Sequence, residues 1–236
     1  NYKSKNILFN DLITMQIKEP LKEKELVNSI TSFGKISDVV SKKVRDQYEE
    51  HPYPRWRHAY KNLPHNFLIK LNNQIKPNSV EINNKFDKPS VLIAGCGTGS
   101  HVCIVEDYLN AKILAVDISV SSLAYAKRKT EELGFKNIEF LHADILQLKN
   151  LNKKFDVIEC VGVLHHMKNP KKGIKILLNL LKPHGFIKLG LYSKIARQDI
   201  IKARKFIKKN KFKNIIEDIR SCRKKIINEK KDKILQ

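Results

Sequence analysis

The amino-acid sequence predicts an α/β fold in which a doubly wound, mostly parallel sheet is covered by helices on both faces. From Pro89 onward, short apolar segments alternate with helical stretches. Strands that are apolar throughout must be covered on both faces, and helices that separate them connect strands in parallel. The five predicted strands are Val91–Ala94, Ile113–Val116, Ile138–Leu141, Phe155–Val161 and Phe186–Leu191.

The predicted helices of this core lie between the strands. They span residues 98–110, 119–133 and 170–182. Gly134 stands where the C-cap of the second helix is expected, because glycine readily adopts the left-handed conformation that ends many helices. The run Pro183–Gly185 indicates a turn before the last strand. The core domain is therefore expected to span residues 89–195.

Helical segments are expected on either side of this core. Residues 1–88 form the predicted N-terminal segment, with weak helical spacing as far as residue 40. Ser41 can cap the next helix, and the prolines of His51–Trp56 would end it, because a proline disfavours the helical conformation of the residue before it. Residues 196–236 continue in a basic, helical pattern without a further strand.

The composition excludes several classes of protein. Of the 236 residues, 42% are hydrophobic, which is enough for a packed core and argues against a disordered chain. The longest apolar runs fall far short of the roughly 18–20 residues that a membrane-spanning helix needs. The four cysteines form no CxxC pair, so neither a disulfide framework nor a metal site is expected. This cysteine usage favours a reducing compartment, and we expect a cytoplasmic protein.

The chain is strongly basic, with a formal net charge of +22. The excess is nearly all lysine, and Asn and Ile are abundant, which favours the composition of an AT-rich genome over a dedicated nucleic-acid surface. Half of the excess lies within Lys194–Gln236, which holds 16 basic and 5 acidic residues. This stretch could contact an acidic partner, a membrane surface or RNA. A solvated amphipathic helix pair is the favoured interpretation.

A glycine-rich turn follows the first core strand. It reads Gly95-Cys96-Gly97-Thr98-Gly99, between a strand and a helix. Glycines in such a turn permit positive φ and let a ligand approach the backbone closely. The spacing is GxGxG rather than the GxGxxG of dinucleotide-binding enzymes, because Ser100 stands at the third glycine position.

Acidic residues end the next two predicted strands. Asp117 lies 18 residues beyond Gly99, and Asp144 ends the following strand and precedes Ile145. A carboxylate at the first position can accept both hydroxyls of a ribose, and one at the second can accept an adenine amino group. The carboxyl ends of successive parallel strands line one crevice, where open α/β sheets bind ligands.

These ordered motifs resemble the Rossmann-like core of class I S-adenosylmethionine-dependent methyltransferases. The resemblance covers about residues 89–192 and implies S-adenosylmethionine as cofactor, with S-adenosylhomocysteine as its product. It places the adenosine half of the cofactor at Asp117 and Ile118 and at Asp144 and Ile145. It places the methionine half along the glycine turn, at Gly95, Cys96, Gly97 and Gly99. The segment from Val161 to Met167 resembles the loop that shapes the methyl-transfer pocket.

Two positions depart from the pattern of this family. Ile93 stands where an acid is common, two residues before the first glycine of the turn, so the resemblance implies that cofactor binding depends on other contacts. His184 occupies a place that is usually held by glycine.

A narrower resemblance lies upstream, in Val44–Trp56. This segment is similar to a QYEENPYPRW-like motif of one bacterial group, whose members are often attached to tetratricopeptide repeats. The group includes rickettsial protein-lysine methyltransferases that modify an outer-membrane protein. Leu191–Arg197 is also similar to the corresponding part of that group.

The upstream resemblance supplies candidate substrate and lid residues. A proline-stiffened segment can close over a site, and aromatic rings beside a sulfonium or an ammonium group gain cation–π attraction of about 0.5–2 kcal/mol. An aromatic anchor that packs the N-terminal segment onto the sheet is an equally good interpretation, and both can hold. The candidates are Tyr48, Tyr53, Arg55 and Trp56 in this segment, with Tyr192 and Arg197 at the pocket rim.

His165 and His166 are the candidate catalytic residues. Methyl transfer is an in-line displacement in which alignment supplies much of the rate, and a base is needed only when the acceptor arrives protonated, as a lysine ammonium does. A role in shaping the loop is the favoured interpretation of the histidine pair. Cys96 is interpreted as a small residue that fits the turn rather than as a nucleophile.

The methyl acceptor is less well defined than the cofactor. The upstream resemblance favours a protein side chain, with lysine as the candidate, and a small molecule is the alternative. Nucleic acid is disfavoured, because the motif of amino-methylating base enzymes (Asn or Asp, then Pro-Pro and an aromatic) is replaced by a run starting at Glu159, and the Pro-Cys pair of cytosine enzymes is missing.

Two alternative functions are weighed against a methyltransferase, and the number of strands adds one expectation about the chain. A nicotinamide-dependent oxidoreductase is disfavoured by the GxGxG spacing and by the lack of a plausible Tyr-xxx-Lys. A non-catalytic binding or assembly module with the same fold stays open because of Ile93. The family sheet usually has seven strands and five are predicted here, so we expect the last two beyond Gln236. The sequence does not define the oligomeric state.

Overall fold

The computed structural model describes residues 4–59, 63–82, 84–105 and 108–234. The chain forms two compact units, Asn1–Leu191 and Tyr192–Gln236. The first unit contains the predicted N-terminal segment together with nearly all of the predicted core domain.

A six-stranded parallel sheet lies at the centre of the first unit, with the strand order β1-β4-β3-β2-β5-β6. All five predicted strands are confirmed, and β1 was not predicted. Its two residues are exposed, so they carry no apolar signal. The strands are β1 (Thr31–Ser32), β2 (Ser90–Ala94), β3 (Lys112–Asp117), β4 (Ile138–His142), β5 (Phe155–Val161) and β6 (Leu181–Gly190).

The helices of the first unit include the three predicted between core strands. One turn of π-helix, Thr14–Lys18, joins the first two helices of the chain. The helices are α1 (Ile7–Ile13), α2 (Glu19–Val27), α3 (Val39–Glu50), α4 (Phe67–Gln74), α5 (Ser100–Val105), α6 (Val120–Glu132) and α7 (Pro170–Leu180).

Two predicted helix starts were wrong. Ser41 is not an N-cap, because α3 begins at Val39 and Asp38 caps it: Oδ1 of Asp38 accepts from the backbone N–H groups of Val40 and Ser41, both at 2.9 Å. The helix predicted from residue 98 begins at Ser100, because the two residues before it belong to the glycine turn.

The turn predicted at Pro183–Gly185 is a bulge within β6. Phe155 pairs with Leu181, and Val157 pairs with Phe186, so β6 carries extra residues between two close positions of β5. His184 lies in this bulge with φ +62°, in the left-handed region that favours glycine. The backbone therefore explains why the resembled family usually has glycine there.

Two apolar clusters cover the two faces of the sheet. Along β2, Val91 and Ile93 belong to one cluster, and Leu92 and Ala94 belong to the other. This alternation follows from the two-residue period of a strand. Both faces are buried, as the apolar strands predict.

The second unit contains α8 (Gln198–Lys209) and α9 (Ile216–Ile234). Between Tyr192 and Ile234, where the structure describes this unit, there is no strand. The two helices and their connection border a mainly apolar cavity of about 450 Å³, lined by Ile207, Phe212, Cys222 and Ile226 among others. The expected last two strands of the family sheet stay a prediction.

Three features of the described part of the chain concern membrane-spanning helices, metal-binding clusters and disulfide bonds. None of the helices within the described ranges is long and apolar enough to cross a membrane. The same part of the chain shows no cluster of His, Cys, Asp and Glu side chains arranged to hold a metal. All four cysteines are buried and are not joined in disulfide bonds.

Glu49 docks α3 onto the start of α6. The backbone N–H of Val120 donates to its Oε1 at 2.6 Å, and that of Ser121 donates to its Oε2 at 3.0 Å. The carboxylate thus satisfies two N–H groups that have no partner within the helix, and it complements the positive end of the helix dipole.

We expect Glu49→Gln to lower the free energy of unfolding by about 1–2 kcal/mol, because it weakens this capping contact. Chemical denaturation measures the change. Glu50→Gln is the matched control, because the neighbouring Glu50 side chain is exposed. Equal stability of the two variants would show that Glu49 does not fasten α3.

Candidate functional site

The glycine turn adopts the backbone conformation that its sequence predicts. Gly95, Gly97 and Gly99 have φ values of +84°, +53° and +84°. A Cβ atom on Gly95 would lie 2.3 Å from Cγ2 of Val163, and one on Gly99 would lie 2.7 Å from Cβ of Ala126. These two positions require glycine for space as well as for φ. Around Gly97 the space is open, and the first atom in reach is the Tyr53 carbonyl oxygen at 3.9 Å.

Asp117 holds the glycine turn against the end of β3. Its Oδ2 accepts from the backbone N–H of Gly97 at 2.7 Å, and its Oδ1 accepts from that of Ser119 at 2.9 Å. The residue is only 9% exposed. Burial raises the pKa of Asp117, and the backbone donors of Ser119 and Gly97 oppose that rise. Each carboxylate oxygen retains a lone pair that can accept a ligand hydroxyl.

The end of β4 lies beside the end of β3. The backbone N–H of Ala143 donates to the carbonyl oxygen of Asp117 at 2.9 Å. Asp144 is buried and caps the 3₁₀ turn Ile145–Asn150, accepting from the backbone N–H of Leu146 at 2.9 Å. The structure therefore brings the two predicted strand-end acids to one edge of the sheet, with Ile145 buried next to the second.

His142 fixes the segment that follows Asp117. Its Nε2 donates to the carbonyl oxygen of Ile118 at 3.0 Å, and its Nδ1 lies 3.0 Å from Oγ of Ser32 on β1. The half-buried Ile118 is thereby held between the ends of β3 and β4.

The loop after β5 carries the predicted histidine pair. Val161 ends the strand and is 40% exposed, and the backbone N–H of Gly162 donates to the carbonyl oxygen of Gly190 at 2.9 Å. The imidazole rings of His165 and His166 lie 4.3 Å apart between centroids, with their Nε2 atoms separated by 3.1 Å. At that distance a hydrogen bond between the rings needs one Nε2 as the donor and the other as the acceptor.

The proline-rich upstream segment is fastened to the glycine turn through Thr98. The Thr98 hydroxyl donates to the carbonyl oxygen of Pro54 at 2.5 Å, and Nε1 of Trp56 donates to the carbonyl oxygen of Thr98 at 2.9 Å. The hydroxyl of Tyr125 on α6 donates to the carbonyl oxygen of Trp56. Tyr53 is 73% exposed, and its backbone carbonyl oxygen lies beside Gly97. These three hydrogen bonds anchor the upstream segment to the core, which is one of the two interpretations given for it above.

The remaining candidate residues have contacts of their own. Arg55 pairs with Glu23 of α2 at 2.9 Å and lies over the ring of Tyr125, so it joins α2 to α6. Tyr48 is half-buried on α3. Within the second unit, the Arg197 guanidinium lies 3.6 Å from the ring centroid of Tyr192.

Comparison with known proteins identifies the family. The profile of the methyltransferase domain matches residues 85–235, more than half of the chain. The chain belongs to the methyltransferase domain family. An uncharacterised protein of Synechococcus sp. is 37% identical over 119 residues, which are 48% of this chain and 28% of that protein. The probable (S)-tetrahydroprotoberberine N-methyltransferase 2 of Papaver bracteatum is 35% identical over 92 residues, 39% of this chain and 25% of that protein.

A rickettsial protein is among the similar solved structures. PKMT2 from Rickettsia typhi, in complex with AdoHcy, is 26% identical with a TM-score of 0.46, over 51% of this chain and 24% of that chain. The chain spans about a quarter of the length of the curated relatives that it matches first. The predicted family, a Rossmann-like S-adenosylmethionine-dependent methyltransferase with rickettsial relatives, is confirmed.

Sequence reasoning missed several residues that support the methyltransferase domain site. Thr98 and His142 stand inside the motifs that the sequence analysis singled out, as the variable position of the glycine turn and as the residue two before Asp144. Glu49 adjoins Tyr48 in the upstream motif. The only signal in the sequence was the position of these residues within a motif, because the partners of their side chains lie 24 to 110 residues away along the chain.

Proposed function

We propose that this methyltransferase domain binds S-adenosylmethionine along the carboxyl edge of its sheet and transfers the methyl group to a protein side chain, with lysine as the favoured acceptor. The observation that carries the proposal is that hydrogen bonds connect the glycine turn to β3 on one side and to the upstream segment on the other. Asp117 holds Gly97 from β3, and Pro54 and Trp56 hold Thr98 from the upstream segment.

The residues at this edge fit an adenosyl ligand. The Asp117 carboxylate has lone pairs left for ribose hydroxyls, and Asp144 has one carboxylate oxygen beyond the one that accepts from Leu146. Ile118 and Ile145 supply apolar surface for a base. The positive φ values of Gly95, Gly97 and Gly99 leave the backbone accessible for the methionine half, with Cys96 in the same turn and Val161 across from it at the end of β5.

The bound cofactor would supply a methyl group on a positively charged sulfur, which the lone pair of an acceptor atom attacks in line. This chain's residues would orient the two reactants and exclude competing water. An acceptor lysine must first lose a proton from its ammonium group. His166 is exposed at the loop after β5, and we propose His165 and His166 as the candidate base, with loop shaping as the other role for the pair.

Two features support a protein acceptor. The side chain of Tyr53 is exposed, its backbone carbonyl oxygen lies beside Gly97, and an exposed aromatic ring can attract an ammonium group by cation–π interaction. The upstream segment that carries it resembles the bacterial group with protein-lysine methyltransferases. A small-molecule amine is the second candidate acceptor, because one relative with 35% identity is named as a tetrahydroprotoberberine N-methyltransferase.

The acceptor is tested with S-adenosylmethionine labelled in its methyl group. The chain is incubated with a lysine-rich protein pool, with the same pool after acetylation of its lysines, and with a set of small amines. We expect label in the unblocked protein, and methyl-lysine after hydrolysis. Label in the amines alone would favour the small-molecule acceptor, and cofactor binding without any transfer would favour a non-catalytic module.

Trp56 provides a test of the lid. We expect Trp56→Ala to weaken S-adenosylhomocysteine binding about ten-fold, because it frees the upstream segment from the glycine turn, and Trp56→Phe to have an intermediate effect, because it removes only the Nε1–H donor. Isothermal titration measures both. Val39→Ala is the control, since that exposed side chain lies at the far end of α3. A folded Trp56→Ala variant with unchanged affinity and turnover would leave Trp56 as an anchor only.

A further inference from the structure

A buried carboxylate lies within the sheet directly behind the glycine turn. Glu159, in the middle of β5, is 0% exposed. Its Oε2 accepts from Nε2 of His101, and its Oε1 accepts from the hydroxyl of Tyr108. Nζ of Lys188 on β6 lies 3.8 Å from Oε2. A buried carboxylate is costly unless it is hydrogen-bonded and paired, and here both oxygens are satisfied.

The partners keep this group ionised. Burial raises the pKa of Glu159, but the hydrogen bonds from His101 and Tyr108 and the charge of Lys188 outweigh it, so the pKa lies below the ordinary glutamate value. Glu159 is therefore negatively charged in the folded protein at neutral pH.

The geometry joins this carboxylate to the helix that follows the turn. His101 is the second residue of α5, which begins immediately after Gly99, and Tyr108 follows the same helix. The helix has six residues, so it has little stability of its own and takes its orientation from tertiary contacts. One carboxylate thus contacts residues near both ends of α5.

Glu159 also lies level with the start of the turn. It pairs in register with Ile93 of β2, two residues before Gly95. Side chains at paired positions of neighbouring parallel strands project from the same face of the sheet. Ile93 is the position at which the resembled family commonly carries an acid, and here a carboxylate stands one strand away.

We propose that Glu159 is a positioning residue for cofactor binding: through His101 and Tyr108 it orients α5 and thereby holds the glycine turn in its ligand-binding conformation. This inference rests on the proposed cofactor function. Asp117 holds the turn from β3, Thr98 is held by the upstream segment, and Glu159 fixes the helix into which the turn leads.

The test compares binding of S-adenosylhomocysteine with stability. We expect Glu159→Gln to weaken binding at least ten-fold. Isothermal titration measures the affinity, and circular dichroism shows beforehand that the variant is folded. Glu139→Gln is the matched control, because Glu139 is an exposed glutamate on β4 that pairs with Lys153, and it should bind as wild type. If Glu159→Gln does not fold, His101→Asn removes the same contact from the helix side.

Moving the carboxylate distinguishes positioning from general stabilisation. We expect Glu159→Ile to lose affinity and the double variant I93E/E159I to recover part of it, because the charge returns to the same level of the sheet beside α5. A cycle of His101→Asn and Glu159→Gln should be non-additive in binding, since the two residues share one contact.

Two results would contradict the proposals, and they are distinguishable. If wild-type protein does not bind S-adenosylhomocysteine, the proposed cofactor function fails and this inference fails with it. If wild type binds and the folded Glu159→Gln and His101→Asn variants bind equally well, only the positioning role of Glu159 is overturned, whatever their unfolding midpoints.

Discussion

Replacing Gly95 by alanine should abolish measurable binding of S-adenosylhomocysteine, with a loss of about 100-fold or more. The residue has φ +84°, and an added Cβ would lie 2.3 Å from Cγ2 of Val163. The backbone and the loop after β5 must both shift, which disrupts the turn and the pocket loop together. We also expect the free energy of unfolding to fall by about 2–4 kcal/mol, from φ strain and overpacking. Isothermal titration and urea denaturation measure the two effects.

Gly134→Ala is the control for this variant. Gly134 has φ +74°, but nothing lies within 4 Å of an added Cβ. It follows the end of α6 and is far from the glycine turn in the sequence. It should lose about 1–2 kcal/mol of stability from strain alone and retain its affinity. Adding Val163→Ala to Gly95→Ala should restore part of the binding. Equal affinity of Gly95→Ala and Gly134→Ala would contradict the proposed role of the turn.

Replacing Asp117 by asparagine should weaken S-adenosylhomocysteine binding by about 100-fold. Both carboxylate oxygens accept backbone N–H groups, one from Gly97 and one from Ser119. An amide has one acceptor oxygen, so its NH₂ group would face one of these donors, and a hydrogen bond to a charged group is worth about 1.5–3 kcal/mol. The variant also loses the charge that is proposed to accept the ribose hydroxyls. Titration of folded protein with the ligand measures the loss.

The pH dependence of binding follows from the same residue. Burial raises the pKa of Asp117, so the folded state takes up its proton at a higher pH than the unfolded chain does. Ionised Asp117 therefore costs stability at neutral pH, and this cost begins to fall as the pH drops through the folded pKa and is gone below the unfolded pKa. Ligand affinity should follow the opposite course and weaken as Asp117 is protonated. Because its pKa is raised, this weakening should occur at a higher pH than an ordinary aspartate would give.

Asp156→Asn is the matched control for Asp117→Asn. Asp156 is also 9% exposed, but it lies at the start of β5, at the opposite edge of the parallel sheet. It accepts from the backbone N–H of Ser90 at 2.9 Å and pairs with Lys182 at 2.8 Å. This variant should lose stability and keep its affinity. Equal loss of binding in the two variants would show that any buried acid of the sheet supports binding indirectly.

The sheet could be predicted from local patterns, because each core strand is an apolar run between helices. β1 could not, because Thr31 and Ser32 are exposed and gain their strand conformation only by pairing with Leu141 and His142. The start of α3 was misplaced because Ser41 and Asp38 are both good caps, and only the structure shows which one accepts the N–H groups.

The candidate site was predictable in its residue types but not in its connections. Strand ends and glycines follow from the order of motifs along the chain. The ion pair of Arg55 with Glu23 joins residues 32 apart. The contact of Glu159 with His101 joins residues 58 apart. Such pairs depend on how the elements pack, and no local spacing indicates them.

The most direct test of the proposed cofactor function is isothermal titration of the purified chain with S-adenosylhomocysteine, with NAD as the control ligand. We expect micromolar binding of S-adenosylhomocysteine and no binding of NAD, because the turn has the spacing GxGxG and lacks the third glycine of dinucleotide-binding enzymes. Binding of NAD, or of neither ligand by folded protein, would contradict the proposed cofactor function.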